Sequence, residues 1–383
     1  MNQLLAQNYQ VVSRSPDPAN IWLGSPSLTA LPSGRLVATY QTFCRSKDAN
    51  EHLTYVCISD DHGQTWQKTA EELKIIWATV FVIGERLWLI GVHHYNRNIV
   101  ITTCEDGGYT WTPISTLFEG FYSGAPTPVV RRGNTIYHAF ETCVGIRTEW
   151  KSLVVAGDLS KDLASPEAWR MSNHIQFPGV PSVLTQRRYP ELTADDSWLE
   201  GNMVLIGDKL RVQLRSIIDG HTTAGIMPVC LLDDDGQTMN YRFDVFYPTP
   251  GAQGKFFIIY DKQDGLFWNA VNLPTDAWQD PQPLVDAGFQ PAPGNERRVL
   301  VLQFSVNALN WFPAGYIAIA PSTLESFSYP SLLIQGDDLL VLARSGIEDN
   351  ESQHDTNLIT FHLVHNFRSL VPPTFMSTIR LKN

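Results

Sequence analysis

One eight-residue pattern, present twice, restricts the possible folds of this chain more than any other feature. Residues 59–66 read Ser-Asp-Asp-His-Gly-Gln-Thr-Trp, and residues 104–111 read Cys-Glu-Asp-Gly-Gly-Tyr-Thr-Trp. Residues 232–239 form a weaker copy, and residues 305–311 a degenerate one. In such a turn the second acidic residue accepts hydrogen bonds from backbone amides, the glycine supplies a positive φ, and the tryptophan packs between sheets. The pattern therefore predicts structural hairpin turns that recur along the chain.

Around these turns the sequence repeats an order of elements. An apolar strand, a glycine-containing turn and a second strand ending in polar residues precede a third strand that leads into the acidic turn. Six copies start near residues 26, 77, 126, 200, 254 and 329. Their long apolar runs indicate strands covered on both faces, as in blades stacked around an axis. We predict one all-β domain over residues 1–383, a β-propeller with six four-stranded blades, with seven blades as the alternative.

Charge and hydropathy exclude several partners. The net charge is -11 and the pI is near 5.3, with no basic stripe, so a nucleic-acid partner is not expected. An anionic substrate would need arginines concentrated in one cleft. No window approaches the roughly 20 apolar residues of a membrane helix, so no membrane partner is expected. The oligomeric state is left open.

No metal or other cofactor is predicted. The five cysteines are odd in number and scattered, which argues against a disulfide framework or a zinc site. The acidic run at residues 233–235 lacks the distal glutamate of an EF-hand. The N-terminal residues have no cationic start followed by an apolar run. We therefore expect a cytoplasmic location, or a secreted one if a leader has been trimmed from this numbering.

Polar residues near the ends of the second strands form the candidate site. The acidic turns join third to fourth strands, so the loops joining second to third strands lie on the opposite face, where we expect function. The candidate catalytic residues are His93, His94, Tyr95, Glu141, Glu200 and Arg215. The candidate substrate-binding residues are Gln41, Arg45, Arg97, Arg188, Tyr189, Arg344 and His354.

Two adjacent histidines, His93 and His94, end the apolar run of residues 87–92. Neighbouring side chains of a strand point to opposite faces, so we expect at least one imidazole to be partly buried. For the same reason the two cannot both bind one metal ion. The pattern fits a buried structural histidine as well as it fits a catalytic base.

The acidic turns resemble Asp boxes, the hairpin turns of the sialidase-like (BNR) propeller superfamily. Residues 125–130, 198–202, 336–340 and 354–357 also resemble one branch of that superfamily. The branch contains lyase and α-L-rhamnosidase propellers that release terminal rhamnose from glucuronate in plant arabinogalactan. The resemblance implies a carbohydrate-active enzyme that acts on a terminal sugar linked to a uronic acid. An acidic oligosaccharide is therefore the expected partner.

The chemistry that this branch implies is β-elimination or hydrolysis. Elimination needs a cation beside the carboxylate, a base for the acidified proton and an acid for the leaving oxygen. Arg215 would clamp the carboxylate with its bidentate guanidinium. His94 or His93 would act as the base, and Tyr95 or Tyr189 as the acid.

Departures from family patterns leave other functions open. Ser123 stands where the lyase branch is expected to carry a further rim histidine. Sialidases use a Tyr-Glu nucleophile pair and an arginine triad that begins in the first blade, whereas residues 24–28 read Gly-Ser-Pro-Ser-Leu. One alternative is an exo-glycosidase or sialidase that hydrolyses an acidic glycan, for which Glu141 and Glu200 offer paired carboxylates. The other is a non-catalytic glycan-binding propeller.

Overall fold

The chain folds into six antiparallel sheets that close into a ring. The computed structural model describes residues 4–45, 52–180, 197–218, 225–274, 296–348, 350 and 352–375. Each sheet has its first strand innermost, and the first strands of the first and sixth sheets contact each other. The prediction of a six-bladed β-propeller is confirmed, and the seven-bladed alternative is wrong. Among the described residues, no helix is both long and apolar enough to cross a membrane.

The strands follow one another as meanders, and each blade is built from consecutive segments. Blade one contains β2 (Ile21–Ala30), β3 (Leu36–Cys44), β4 (Thr54–Ser59) and β5 (Gln67–Leu73). Blade two contains β6 (Ile75–Ile83), β7 (Arg86–His93), β8 (Ile99–Cys104) and β9 (Ser115–Phe118). Blade three contains β10 (Tyr122–Ser123), β11 (Val130–Arg132), β12 (Thr135–Thr142), β13 (Lys151–Asp158), β14 (Trp169–Met171) and β15 (Ile175–Gln176).

The second half of the ring has the same organisation. Blade four contains β16 (Ser197–Ile206), β17 (Lys209–Ile217), β18 (Ile226–Asp234) and β19 (Met239–Pro248). Blade five contains β20 (Phe257–Asp261), β21 (Leu266–Asn272), β22 (Val299–Ser305) and β23 (Phe312–Ile319). Blade six contains β24 (Ser326–Gln335), β25 (Asp338–Gly346), β26 (Leu358–Val364) and the N-terminal strand β1 (Gln10–Arg14). Short 3-10 helices cover Arg147–Glu149, Pro166–Ala168 and Phe367–Leu370.

The N-terminal segment closes the ring without a covalent link. Strand β1 pairs with β26 and becomes the outermost strand of blade six. Just before it, the backbone N–H groups of Leu5 and Ala6 donate to carbonyls of β23 in blade five. The segment therefore joins three parts of the chain that are far apart in sequence, and it covers the edge of the last sheet.

The hydrophobic core lies between the blades. Six large clusters of buried residues each combine side chains from two neighbouring blades. The cluster between blades five and six, for example, includes Trp268 and Phe327, both almost fully buried. Because both faces of each sheet are covered in this way, the strands read as apolar runs without polar alternation. This is the physical reason for the pattern seen in the sequence.

A β-bulge interrupts the first strand of four blades near its start. The bulge residues have positive φ, and they are Ser25 (52°), Trp77 (52°), Glu200 (58°) and Tyr329 (49°). The predicted blade starts near residues 26, 77, 200 and 329 fall at these bulges. The strands themselves begin two to five residues earlier, because the residues before each bulge also pair with the second strand.

Beside each bulge, one side chain hydrogen-bonds to the next blade. The acceptors, each two residues after a bulge, are Ser27, Thr79, Asn202 and Ser331. They bind the backbone N–H groups of Val80, Thr127, Ile258 and Leu28 at 3.0, 3.2, 3.1 and 3.1 Å, respectively. These bonds link blade one to two, two to three, four to five and six to one.

The turn at residues 59–66 has the geometry expected from its sequence. The Asp61 carboxylate accepts the backbone N–H of Thr65 at 2.9 Å, and Gly63 has a φ of 83°. The Trp66 ring packs against blade six. The turn at residues 104–111 repeats the contact between carboxylate and amides. These turns lie opposite the face to which the second strands point.

Gly63 gives a direct test of the interface between blades one and six. A Cβ atom at this position would overlap the Phe361 ring of β26, whereas a Cβ atom on Gly34, whose φ is also positive, would meet no atom within 4 Å. Gly34→Ala should cost about 1 kcal/mol of folding free energy from the backbone alone. Gly63→Ala should cost about 1–3 kcal/mol more because of the overlap. Equal losses in denaturant unfolding would contradict this account of the interface.

Candidate active site

Four buried polar side chains occupy the same register position on the second strands of their blades. Gln41, Glu141, Arg215 and Arg344 each pair with the residue immediately before the bulge or break in the first strand. In a ring of similar blades, matching positions face a common centre. The structure therefore brings together these four of the predicted site residues. In blade two the matching position holds Val92.

Arg215 forms the centre of a hydrogen-bonded cluster. Its Nη1 donates to the Glu200 Oε2 atom at 3.0 Å and to the Tyr329 Oη atom at 3.2 Å. Its Nε donates to the backbone oxygen of Gln253 at 2.7 Å. Glu200 and Tyr329 are the bulge residues of blades four and six, so the two bulges aim a carboxylate and a phenol at the same guanidinium. We call Glu200, Arg215, Arg297, Tyr329 and Arg344 the central cluster.

Three guanidinium groups surround Tyr329. The Cζ atoms of Arg344, Arg297 and Arg215 lie 5.1, 5.5 and 6.0 Å from the centre of its ring. Arg344 is held by a 3.1 Å hydrogen bond from its Nε to Thr356 Oγ1. Its Nη1 also lies 3.1 Å from the position that a Cβ atom on Gly24 would occupy. The absence of a side chain at Gly24 therefore leaves room for this third guanidinium.

The charges of the cluster change the pKa of Tyr329. Burial alone would raise the pKa of this phenol, and the Glu200 carboxylate acts in the same direction. The positive charges of Arg215, Arg297 and Arg344 act oppositely and prevail, so the pKa of Tyr329 lies below its ordinary value. A phenol with a lowered pKa is a better nucleophile or base near neutral pH.

Two further ionisable groups are buried beside Glu200. Burial, reinforced by the Glu200 charge, raises the pKa of Glu141 to about 8. Burial lowers the pKa of Lys255 to about 7, and the nearby Glu200 limits the shift. Lys255 Nζ donates to the backbone oxygen of Pro330 at 2.6 Å, directly after Tyr329. Both oxygens of Glu141 are shielded from solvent, and its predicted catalytic role stays a prediction.

His354 and Asp355 border the central cluster on its exposed side. The His354 Nδ1 atom lies 2.7 Å from the Asp355 carboxylate, and its ring meets the Tyr329 ring edge-on at 6.3 Å. The positive charge of Arg344, together with burial, lowers the pKa of His354. At neutral pH this imidazole is therefore a neutral hydrogen-bonding group.

Comparison with solved structures agrees with this architecture. The α-L-arabinanase of Penicillium chrysogenum complexed with arabinobiose is similar with a TM-score of 0.57 and 12% identity, over 96% of this chain and 99% of that one. The Hadza microbial sialidase Hz136 gives 0.61 and 14%, over 95% and 69%. The Trypanosoma rangeli sialidase gives 0.61 and 15%, over 94% and 56%, so this chain spans little more than half of that protein. The fold is a sialidase-like six-bladed propeller.

Sequence comparison adds no family to this assignment. No protein-family model matches the chain, and no curated protein matches it significantly.

In blade two, Val92 occupies the register position that faces the common centre, and the predicted residues 93–95 follow it in the chain. Strand β7 ends at His93, so strand alternation does not extend to His94, and the two rings lie 4.8 Å apart. The expectation that they point to opposite faces is therefore wrong. The expected burial is confirmed, because only 6% of His94 is exposed. Tyr95 is 71% exposed, and no described contact joins it to the central cluster.

Three other predicted substrate-binding residues are Arg45, Arg188 and Tyr189. Arg45 is exposed at the end of blade one, where its backbone N–H donates to the Asn20 carbonyl. Arg188 and Tyr189 lie outside the described residues. Their roles stay predictions.

Sequence reasoning missed Tyr329, Arg297 and Lys255. The start of the blades contains a signal for Tyr329. It is a tripeptide that consists of the bulge residue, then glycine or proline, then a residue whose side chain hydrogen-bonds to the next blade. This pattern reads Ser-Pro-Ser at residues 25–27, Glu-Gly-Asn at 200–202 and Tyr-Pro-Ser at 329–331. Aligning these tripeptides would have placed Tyr329 beside Glu200. Arg297 precedes β22 outside any repeat, so no pattern in the sequence indicated it.

The raised pKa of Glu141 predicts a pH-dependent stability. Between about pH 4.5 and 8 the unfolded chain loses this proton and the folded chain keeps it, so stability falls as the pH rises. Glu141→Gln should remove a slope of up to about 1.4 kcal/mol per pH unit in that window. Urea unfolding at pH 5, 6, 7 and 8 measures it. The exposed Glu85 serves as the control, and an unchanged slope in Glu141→Gln would show that Glu141 ionises normally.

Proposed function

We infer that this protein is an exo-glycosidase that hydrolyses a terminal sugar bearing a carboxylate. The observation that carries this proposal is the position of the Tyr329 phenol among three guanidinium groups. The Tyr329 Oη atom and the Glu200 Oε2 atom accept hydrogen bonds from the same nitrogen, Arg215 Nη1. Such a cluster combines a nucleophile, a carboxylate base and a binding site for an anion.

The charge balance of the central cluster supports an anionic substrate. Three guanidinium charges face the carboxylates of Glu200 and Asp355, while burial keeps Glu141 protonated at neutral pH. The Arg344 Nη2 atom is 3.9 Å from Asp355, which is a long contact for an ion pair. A bound carboxylate would interact favourably with guanidinium groups that are concentrated in one buried site. Planar guanidinium groups also match carboxylate geometry.

The proposed mechanism uses Tyr329 as the nucleophile and Glu200 as its base. Glu200 accepts the phenol proton while Tyr329 Oη bonds to the anomeric carbon, and the leaving oxygen departs with a proton from solvent. Water then attacks the anomeric carbon and loses a proton to solvent, the bond from this carbon to Tyr329 Oη breaks, and Tyr329 recovers its proton from Glu200. A phenol suits an acidic sugar, because a carboxylate nucleophile would be repelled by the carboxylate of the substrate. The lowered pKa of Tyr329 favours this role.

The comparisons support a glycosidase in general terms. The similar structures include an α-L-arabinanase, an α-L-arabinofuranosidase and sialidases. One of them is the Trypanosoma rangeli sialidase with 2,3-difluorosialic acid as a covalent intermediate. The missing first-blade arginine of the sialidase pattern counts less against this class than the sequence suggested, because Arg344 brings a guanidinium beside Gly24.

β-Elimination is the second candidate, and the same tyrosine favours it. With a lowered pKa, Tyr329 could remove the proton that a clamped carboxylate acidifies, and Arg215 or Arg344 would provide the clamp. In this version Tyr329 replaces His93 and His94 as the base, because Tyr329 lies among the guanidinium groups that would clamp the carboxylate. The rhamnosyl-glucuronate specificity belongs to this candidate.

The products separate the two chemistries. We expect free acidic sugar from alkyl sialosides or alkyl glucuronides, and no new absorbance of an unsaturated uronate from these substrates or from rhamnosyl-glucuronate oligosaccharides. Absorbance of an unsaturated uronate would identify a lyase and contradict hydrolysis. Binding without any product would favour the non-catalytic glycan-binding propeller.

Removing the Tyr329 hydroxyl should abolish turnover. Tyr329→Phe is expected to lower kcat by about 10³-fold or more on whichever substrate is cleaved, because the nucleophile is lost. Tyr40→Phe is the matched control, since this phenol is also buried, with a 2.8 Å hydrogen bond from Ser13, but lies away from the cluster. That variant should lose about 1 kcal/mol of stability and keep its activity. Near-normal turnover by Tyr329→Phe would refute the proposed mechanism.

A further inference from the structure

The guanidinium of Arg97, which is not part of the central cluster, stacks on the bulge residue of blade two. The Arg97 Cζ atom lies 4.4 Å from the centre of the Trp77 ring and 5.9 Å from that of Phe121. Trp77 is the blade-two counterpart of Glu200 and Tyr329, with the same positive φ, and its backbone N–H donates to the buried Gln41 Oε1 at 3.0 Å. The backbone of Trp77 is therefore held by its neighbour in blade one.

Arg97 stacks on aromatic rings without a described carboxylate partner, as does Arg147, which stacks on Trp150. Four arginines that also stack on aromatic rings each pair with an acidic side chain, and these are Arg35, Arg86, Arg132 and Arg368. The Arg97 Nη1 atom is buried and makes no hydrogen bond to any described residue. In a chain with 39 acidic and 28 basic residues, an unpaired, partly buried guanidinium is unusual.

The position of Arg97 connects it to the central cluster. The Cys143 thiol lies close enough to interact electrostatically with both Arg97 and Glu141, and Glu141 interacts in the same way with Glu200. The Arg97 backbone oxygen accepts the N–H of Tyr122 at 3.0 Å, which ties this segment to blade three. Through its stacking on Trp77, the bulge residue that binds Gln41, Arg97 lies on the blade-two side of the converging residues.

We propose that Arg97 and Trp77 form a second anion-binding position, which takes the carboxylate of the sugar on the leaving-group side of the scissile bond. This inference rests on the proposed function and narrows its substrate class to glycans with two consecutive acidic sugars. A guanidinium that is stacked by its face keeps its N–H edge for a carboxylate. The exposed Phe121 ring, 47% accessible, adds apolar surface for the carbon face of a sugar.

Binding to pairs of glycans tests the proposal in the Tyr329→Phe background, where cleavage is blocked. Each pair carries a terminal acidic sugar and a second uronate, either as the free carboxylate or as its methyl ester. We expect the free carboxylate to bind about tenfold more tightly, as a charged hydrogen bond would provide. Adding Arg97→Gln should reduce this preference to less than about twofold, and Arg97→Lys should restore part of it.

Arg86 provides the matched control, because it stacks on Trp88 in the same blade but pairs with Glu105 at the opposite end of the strand. Arg86→Gln should leave the preference unchanged. Equal binding of acid and ester before the Arg97 change, a preference that survives Arg97→Gln, or no binding to any glycan would overturn the proposal. If wild-type protein cleaves none of the glycans that bind, the hydrolase proposal fails while the Arg97 comparison still decides this one.

Discussion

The structure depends on a bulge near the start of the inner strands and on the hydrogen bond made beside it. Each bulge holds a non-glycine residue at positive φ, a conformation that costs on the order of 1–3 kcal/mol. Two residues later, a serine, threonine or asparagine binds a backbone N–H of the next blade. These contacts fix the spacing of the blades at the axis, so the strained residues cannot relax into regular strand. The side chains of Glu200 and Tyr329 meet at Arg215 for this reason.

The electrostatics of the site follow from the same arrangement. The charged side chains of Glu200, Arg215, Arg297 and Arg344 are buried, which strengthens the interactions among them. The pKa values of Tyr329 and Lys255 are lowered towards neutral pH, and the pKa of Glu141 is raised towards it. The overall charge of -11 has little influence on this local balance, because three buried guanidinium groups are concentrated around one phenol.

The sequence predicted the fold and only part of the site, and particular residues show why. Long apolar runs report burial on both faces, so six blades could be counted without coordinates. Arg215 and Arg344 end second strands, where strand period and topology make the direction of a side chain predictable. Tyr329 was missed because a positive φ sets the direction of its side chain. A glycine in the sequence indicates a positive φ, whereas a Tyr-Pro dipeptide does not. In blade two, one register step separates the buried Val92 from His93, and counting along an apolar run cannot resolve one step.

The guanidinium of Arg344 shows that a charge can occupy the same place in a ring of blades although a different blade supplies it. Gly24 lies in blade one, and the space that its side chain would occupy is taken by the Phe43 ring and by Arg344 from the second strand of blade six. The hydrogen bond to Thr356 and the Phe43 ring, 5.4 Å from the guanidinium, hold Arg344 there. Neighbouring inner strands lie close enough that either blade can supply a long side chain to the same point. A search for an arginine at one fixed place in the first blade therefore underestimates the positive charge of this site.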